Sequence, residues 1–197
     1  MRYRQIDYLA TFKSKTETSG ECLYAGDRRW KCHWDDRSEH WLRTGDELYL
    51  FSREPNTVRL IDISELSAFD DLGWLGEYLV RAYSEAPLVP FLLGLRVDAL
   101  QKKYDVKITQ EDEVSVRLVL HPRHQDDAWF SRAQLLLDKE TFHPRAVKLN
   151  DLNGRDSKVF LFDLLEINVP IVDEEFQPDL EGWRIISLSN LFGRTPD

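Results

Sequence analysis

The sequence predicts a mainly β fold, an antiparallel sheet interrupted once by a helical insertion. Short apolar-alternating segments, punctuated by Gly, Asn, Asp and Pro, fill residues 10–63 and return over 113–168. Between them, from Ser64 to Tyr104, the apolar spacing changes from a period of two to a helical one. Alternation gives each strand one apolar and one polar face, and a long sheet with one apolar face must curl or be covered.

The first strands are read at 10–17 (ATFKSKTE), 20–26 (GECLYAG) and 28–34 (RRWKCHW), separated by Ser-Gly and Gly-Asp turns. HWLRTG and DELYLFSRE follow, turning at Thr44-Gly45-Asp46. NTVRLIDI comes after Glu54-Pro55-Asn56. The first third is thus a meander of about six strands of ordinary length. In the insertion, Trp74, Leu75, Tyr78, Leu79 and Ala82 share one helical face. Pro87 and Pro90 interrupt, a second short helix can start at Pro90, and Gly94 breaks it. Residues 97–106 form a further amphipathic turn or two with Val97, Leu100 and Tyr104 inward. The most apolar run, LVPFLLGL at 88–95, lies here. These helices are the elements available to cover the sheet, so Phe91, Leu92 and Leu95 are expected against its concave side.

Strands resume with EVSVRLVL, where Val114, Val116, Leu118 and Leu120 oppose Glu113, Ser115 and Arg117. SRAQLLLDKE repeats the pattern with Ala133, Leu135 and Leu137. PRAVKLND and SKVFLFDLLEIN are joined by a hairpin signal, Asn153-Gly154.

Composition narrows the function. The 197 residues suit one domain, or a domain with an insertion. Lys+Arg 26 against Asp+Glu 35 gives a net charge of -9, which disfavours nucleic acid and anionic lipid headgroups as partners. No stretch approaches the roughly 20 apolar residues of a spanning helix. The N-terminal MRYRQIDYLATF has no apolar core of a signal peptide.

Candidate chemistry is sparse. His121-Pro122-Arg123-His124 with Asp126-Asp127 suits a solvated loop: Pro122 precludes a helical metal-binding pair, and no cysteine or third histidine is near in sequence. Asp35-Asp36, Asp70-Asp71 and Glu174-Glu175 sit by turns in an acidic chain, with no nucleophile elbow or phosphate loop beside them. No enzyme activity, metal or cofactor is expected. Tyr24, Trp30, Trp34 and Trp41 form a dense aromatic cluster. With a turn at Gly26-Asp27-Arg28, Trp30, Cys32 and Trp34 share a face. That face is either ordinary sheet packing or the wall of an apolar pocket.

A set of motifs in 130–186 goes further. Pro144 ends one strand, Asp151 and Gly154 make a D-x-x-G hairpin, and Phe160 and Phe162 form F-x-F. Asn168, then Phe176 and Gly182-Trp183, close the segment. In this order they resemble the LolA/LolB-like lipoprotein-carrier superfamily. FLLGLRVDALQKKYDVKI with HPRHQDDAWFSRA is similar to a LolA-like domain of planctomycete envelope proteins. The resemblance covers about residues 6–186. It implies a single domain over 1–197: an unclosed antiparallel half-barrel of about eleven strands, lid helices at 63–106 and a C-terminal tail at 187–197. It also implies an apolar cavity for a lipid or lipoprotein acyl chain, in a monomer of the periplasm or cell envelope. An envelope protein partner, with the cavity filled by its own side chains, is the alternative. Expected cavity and lid residues are Trp30, Trp34, Leu75, Leu79, Phe91, Leu92, Leu95, Leu100, Val116, Leu118, Leu135 and Leu137. Two features depart from the carriers: Gly26 and Asp27 stand at their Arg-Pro turn, and only YRQIDYL precedes the first strand, where they have a longer helix.

The two cysteines fit no common zinc spacing. In the proposed hairpin, Cys22 and Cys32 are equidistant from Asp27 and face each other. An oxidising compartment would bridge them; a reducing one would leave two packed thiols. A bulge at Gly26 would instead turn the thiols to opposite faces.

Overall fold

A computed structural model describes residues 1–26, 29–35, 39–53, 55–62, 101–102, 104–124 and 130–187. Twelve strands occur among them: β1 Arg2–Leu9, β2 Ser14–Tyr24, β3 Arg29–Trp34, β4 Glu39–Thr44, β5 Glu47–Ser52, β6 Thr57–Asp62, β7 Tyr104–Glu111, β8 Ser115–Pro122, β9 Arg132–Asp138, β10 Pro144–Asn150, β11 Ser157–Leu164 and β12 Arg184–Ser187. Their hydrogen-bonded order is β12-β6-β5-β4-β3-β2-β1-β11-β10-β9-β8-β7, an unclosed sheet ending at β12 and β7.

Several expectations are corrected. The half-barrel of about eleven antiparallel strands becomes a sheet of twelve in which β12 runs parallel to β6. The predicted strands at 10–17 and 20–26 are one strand, β2, because Ser19-Gly20 is extended rather than turned. Residues Arg2–Leu9 form a strand paired with β11. Only Gln101 and Lys102 are helical among the described residues of 97–106, and from Tyr104 the chain is β7. Val114 lies in the turn before β8, exposed, rather than on its apolar face. Ser187 belongs to β12, not to a tail. The rest of the expected lid, including Leu75, Leu79, Phe91, Leu92, Leu95 and Leu100, lies outside the described residues, as does 188–197.

The chain divides into two compact units: Met1–Gly20 with Phe91–Ile167, and Glu21–Pro90 with Asn168–Asp197.

In the first unit, cross-strand pairs build one apolar face. Leu118, Leu135, Val147, Phe160 and Gln5 are successive partners across five strands, and Leu120, Ala133 and Leu149 form the next row. Opposed residues share a face, so the register itself defines this surface. Gln5 is buried in it and its Nε2 donates to both Asp7 carboxylate oxygens, at 2.9 and 3.2 Å, so the burial leaves this donor satisfied. The β10–β11 connection is a loop closed by its own side chain: Asp151 accepts from Arg155 N at 2.8 Å and Asp156 N at 3.2 Å. Gly154 supplies the positive φ of 68° that the turn needs.

In the second unit, β3–β6 form a meander. Gly45, at φ 62°, turns the β4–β5 hairpin directly after Thr44. β5 is buried on both sides: Leu48, Tyr49, Leu50 and Phe51 are all core. The reason is the returning C-terminal segment. Its short 3-10 helix Asp173–Phe176 drives Phe176, 2% exposed, into a cluster with Leu42, Tyr49, Phe51 and Val58. Ile171, Leu180 and Trp183 pack around it, and Trp183 meets Phe51 edge-on at 5.2 Å. Arg29–Asp173 at 2.6 Å and Lys31–Glu175 at 3.3 Å tie the segment to β3. Asn56 Nδ2 donates to Gly182 O at 2.6 Å, and Arg184 N to Asn56 O, which aligns β12 with β6.

Candidate ligand-binding faces

The C-terminal strap takes one face of the second unit's sheet, and the other face carries the tryptophans. Along β3 the pattern alternates strictly, with Trp30, Cys32 and Trp34 buried and Lys31 and His33 less so. Cys32 pairs with Trp41, Trp41 with Leu50, and Leu50 with Arg59. The neighbouring row runs Trp30, Arg43, Leu48 and Ile61. Trp34 and Trp41 meet edge-to-face, 5.0 Å apart at 69°, the arrangement that ring quadrupoles favour. The wall is stapled at its centre by the Cys22–Cys32 disulfide, whose Cα atoms are 4.2 Å apart. Trp30 and Trp34 are only 2% and 3% exposed.

Polar side chains share this wall: Arg43, Arg59 and Thr57, with Ser52 and Glu39 in Thr57's cross-strand row. Arg43 and Arg59 are half-buried, and Arg43 Nε donates to Gly45 O at 3.2 Å. Thr57 lies two residues from Arg59 along β6 and pairs with Ser52. Among the described residues its buried hydroxyl has no hydrogen-bond partner.

The opposite face holds two titratable groups with displaced pKa values. His40 stacks on Phe51, centroids 4.1 Å apart at 9°, with Trp183 edge-on at 6.1 Å. Desolvation first, then the charges of Lys31 and Arg53 and the neighbouring His33, lowers its pKa to about 4. Burial and a hydrogen bond to Glu47 push the Tyr49 phenol up to about 12. These groups sit beneath or beside the strap, where they serve packing.

In the first unit, Val116 pairs with Leu137 and Leu118 with Leu135, so these four share the face that carries Val147 and Phe160. Val116 and Leu135 are buried; Leu118 and Leu137 are half-buried. Arg117 is exposed and belongs to the opposite face. The same apolar face extends to the edge strand, where Ile108 pairs with Leu118 and is 62% exposed. Tyr104 is buried and stacks on Phe130 at 5.8 Å.

Sequence reasoning missed that Thr57, Arg43 and Arg59 leave the sheet on the tryptophan side. A signal existed: Arg43 falls in step with Trp41 on its strand, and Thr57, Arg59 and Ile61 share the alternation of the next. Of the His121–Asp127 loop, the described residues belong to no cluster of metal-ligating side chains, and none occurs elsewhere among them. No described helix is long and apolar enough to cross a membrane.

No family profile and no curated protein matches the sequence. Solved structures match in fold. A conserved uncharacterized protein from Thermus thermophilus is 8% identical, aligns over 95% of this chain and 90% of its own, and gives a TM-score of 0.55. MucB is 16% identical over 93% of this chain, with a TM-score of 0.50; the chain spans 59% of MucB. A LolA superfamily protein from Nitrosomonas europaea is 8% identical over 90% of this chain and 88% of its own, with a TM-score of 0.40. The likeness to the Thermus protein and to MucB is one of fold alone.

Proposed function

We propose that this chain is a non-enzymatic binding protein for an apolar chain, that of a lipid or of an acylated protein, acting as one domain in the periplasm or cell envelope. The observation that carries the reading is the pair of apolar faces. Each unit has one built in cross-strand register: Trp30, Trp34, Trp41, Leu48 and Leu50 in one, Leu118, Leu135, Val147 and Phe160 in the other. In the second unit the strap leaves the tryptophan face as the one facing away from it. The disulfide supports an oxidising compartment. Leu75, Leu79, Phe91, Leu92, Leu95 and Leu100 are the lid residues of this reading, closing over the ligand and opening to release it.

The energetics are adequate. Each methylene removed from water contributes roughly 0.8 kcal/mol, so about ten buried methylenes contribute ~8 kcal/mol. Ordering costs take back part of that, leaving micromolar or weaker affinity, which suits a ligand that must leave again.

A second reading has one observation in its favour. Trp30 and Trp34 are already sealed from solvent, as they would be if the chain filled its own cavity and acted as a protein-interaction module. Native mass spectrometry of the mildly extracted protein separates the two. Co-purifying lipid, displaced by added fatty acid, supports the binding reading. A bare chain that also takes up no apolar probe overturns it in favour of the module.

A further inference from the structure

We propose that the β7 edge of the first unit is a docking edge for a second copy of this chain, the two β7 strands pairing antiparallel about a two-fold axis at Val106. The inference stands apart from the apolar-ligand reading.

β7 ends the sheet: β8 takes one of its edges, and among the described residues no strand takes the other. Every residue from Asp105 to Glu111 is exposed. An open edge offers a row of backbone N–H and C=O groups to any strand that fits it. Two apolar side chains add to that row, Val106 at 38% and Ile108 at 62% exposure. They continue the apolar face of the unit, because Val106 pairs with Leu120 and Ile108 with Leu118. Asp105 and Lys107, paired with His121 and Val119, lie on the face of Arg117.

The sequence of this edge is complementary to itself. Its regular part runs from Tyr104 to Ile108, where a register shift separates it from Gln110. Val106 is the middle residue of that run. Folding the run onto a copy of itself about Val106 sets Asp105 opposite the second copy's Lys107, and Lys107 opposite its Asp105. A two-fold axis perpendicular to the sheet keeps like faces together, so both ion pairs fall on the polar side. On the other side the row Leu149, Ala133, Leu120 and Val106 runs on into the second copy's Val106. Ile108 comes to lie opposite the second copy's Tyr104. Neighbouring registers are worse. Moving the axis one residue forward sets Lys107 against Lys107, and one residue back sets Asp105 against Asp105; like charges directly opposite repel. An axis between residues sets apolar against charged side chains and turns the apolar faces to opposite sides.

The charges are free to take this part. Asp105 meets Arg123 through one oxygen, at 2.7 Å, in solvent, and a carboxylate accepts further donors. Lys107 is exposed and has no ion pair among the described residues. So short a ladder buries much less than the roughly 1,200 Å² of a stable interface, so the dimer forms only as concentration rises.

Sedimentation velocity of the full chain, from micromolar to about 1 mM, should show a monomer–dimer equilibrium. Lys107→Glu and Asp105→Lys should each weaken it about tenfold, because symmetry turns two attractive pairs into two repulsive ones. Asp105→Lys/Lys107→Glu should restore it, since opposite charges face each other again. Melting temperatures of the three variants control for folding. The register has its own test in mild oxidation followed by a non-reducing gel. Val106→Cys should give a covalent dimer, whereas Ile108→Cys should not, its two copies lying about 13 Å apart along the strand. That pair of variants decides the matter if a charge variant melts early. A chain that stays monomeric overturns the proposal and leaves the edge to the strand of a different protein. A dimer indifferent to the single charge changes, or not restored by the double one, overturns it as well, as does equal cross-linking at positions 106 and 108.

Discussion

Cys22 and Cys32 stand across neighbouring strands with Cα atoms 4.2 Å apart and are joined by a disulfide. The bridge lies between Trp30 and Trp34 on the face they share, and ties β2 to β3 beneath the aromatic wall's centre. Both sulfurs are buried, which shields them from small reductants in the folded state.

Closing a loop of about ten residues stabilises by roughly 2–3 kcal/mol through the entropy of the unfolded chain. Cys22→Ala/Cys32→Ala should therefore lower the urea midpoint by that equivalent, and dithiothreitol should lower the wild type equally once unfolding exposes the bond. Protein from an oxidising compartment should show no titratable thiol when denatured without reductant. Two free thiols there, or an unchanged midpoint in the double variant, would argue against the bridge.

The strap separates packing from charge. Phe176 is buried in an apolar cluster, whereas Asp173 and Glu175 meet Arg29 and Lys31 in solvent. Phe176→Ala should cost about 3–5 kcal/mol, the cost of a large core truncation. Asp173→Asn should cost less than about 1 kcal/mol, because exposed ion pairs are screened. Guanidinium denaturation of the two variants measures both. Comparable losses would mean that the salt bridges, not the aromatic plug, hold the segment.

The proposed lid is tested by Leu92→Asp and Leu95→Asp. A carboxylate placed against an apolar chain should abolish displacement-detected binding of a fatty acid or lower the melting temperature. Unchanged binding together with unchanged melting would remove both residues from the ligand's path.

These sites differ in how far the sequence disclosed them. Trp30, Cys32 and Trp34 were legible because one face of β3 is core and the other is wetter, so the period of two survives in the residue types. β5 hid its geometry: Leu48-Tyr49-Leu50-Phe51 is continuous apolar sequence because the strap covers its second face, and a strap from over a hundred residues away leaves no local mark. β7 was missed for the opposite reason. Its residues after Tyr104 are exposed on an edge strand, so the apolar alternation in DVKITQE stops after Val106 and Ile108, and the neighbouring Leu100 and Tyr104 spacing mimicked a helix. The Ser19-Gly20 turn failed because Ser-Gly marks turns only on average; here Gly20 is buried within a long strand. Thr57 and Arg59 were passed over because a threonine and an arginine in a strand read as solvent-facing until the register shows which side they leave from.

The environment of His40 should make the stability of the fold pH-dependent. Its folded pKa of about 4 lies below the ordinary 6.5, chiefly because the imidazole is desolvated against Phe51 and Trp183, with Lys31, Arg53 and His33 adding repulsion. The unfolded chain takes up the proton near pH 6.5, whereas the folded chain resists it until about pH 4. Between those values the unfolded state binds more protons, so stability falls as pH falls, and this contribution levels off below pH 4. Because the ring is only partly buried, screening reduces the effect to about 1–2 kcal/mol. Carboxylates titrate in the lower part of the same window, so the comparison that isolates the histidine is wild type against His40→Gln. Urea midpoints taken from pH 7 to pH 4 should fall more steeply for the wild type, with the curves converging toward acid as the wild type loses its advantage. Parallel curves would mean that His40 is protonated as readily in the folded chain as in the unfolded one, and that the strap does not seal it from water.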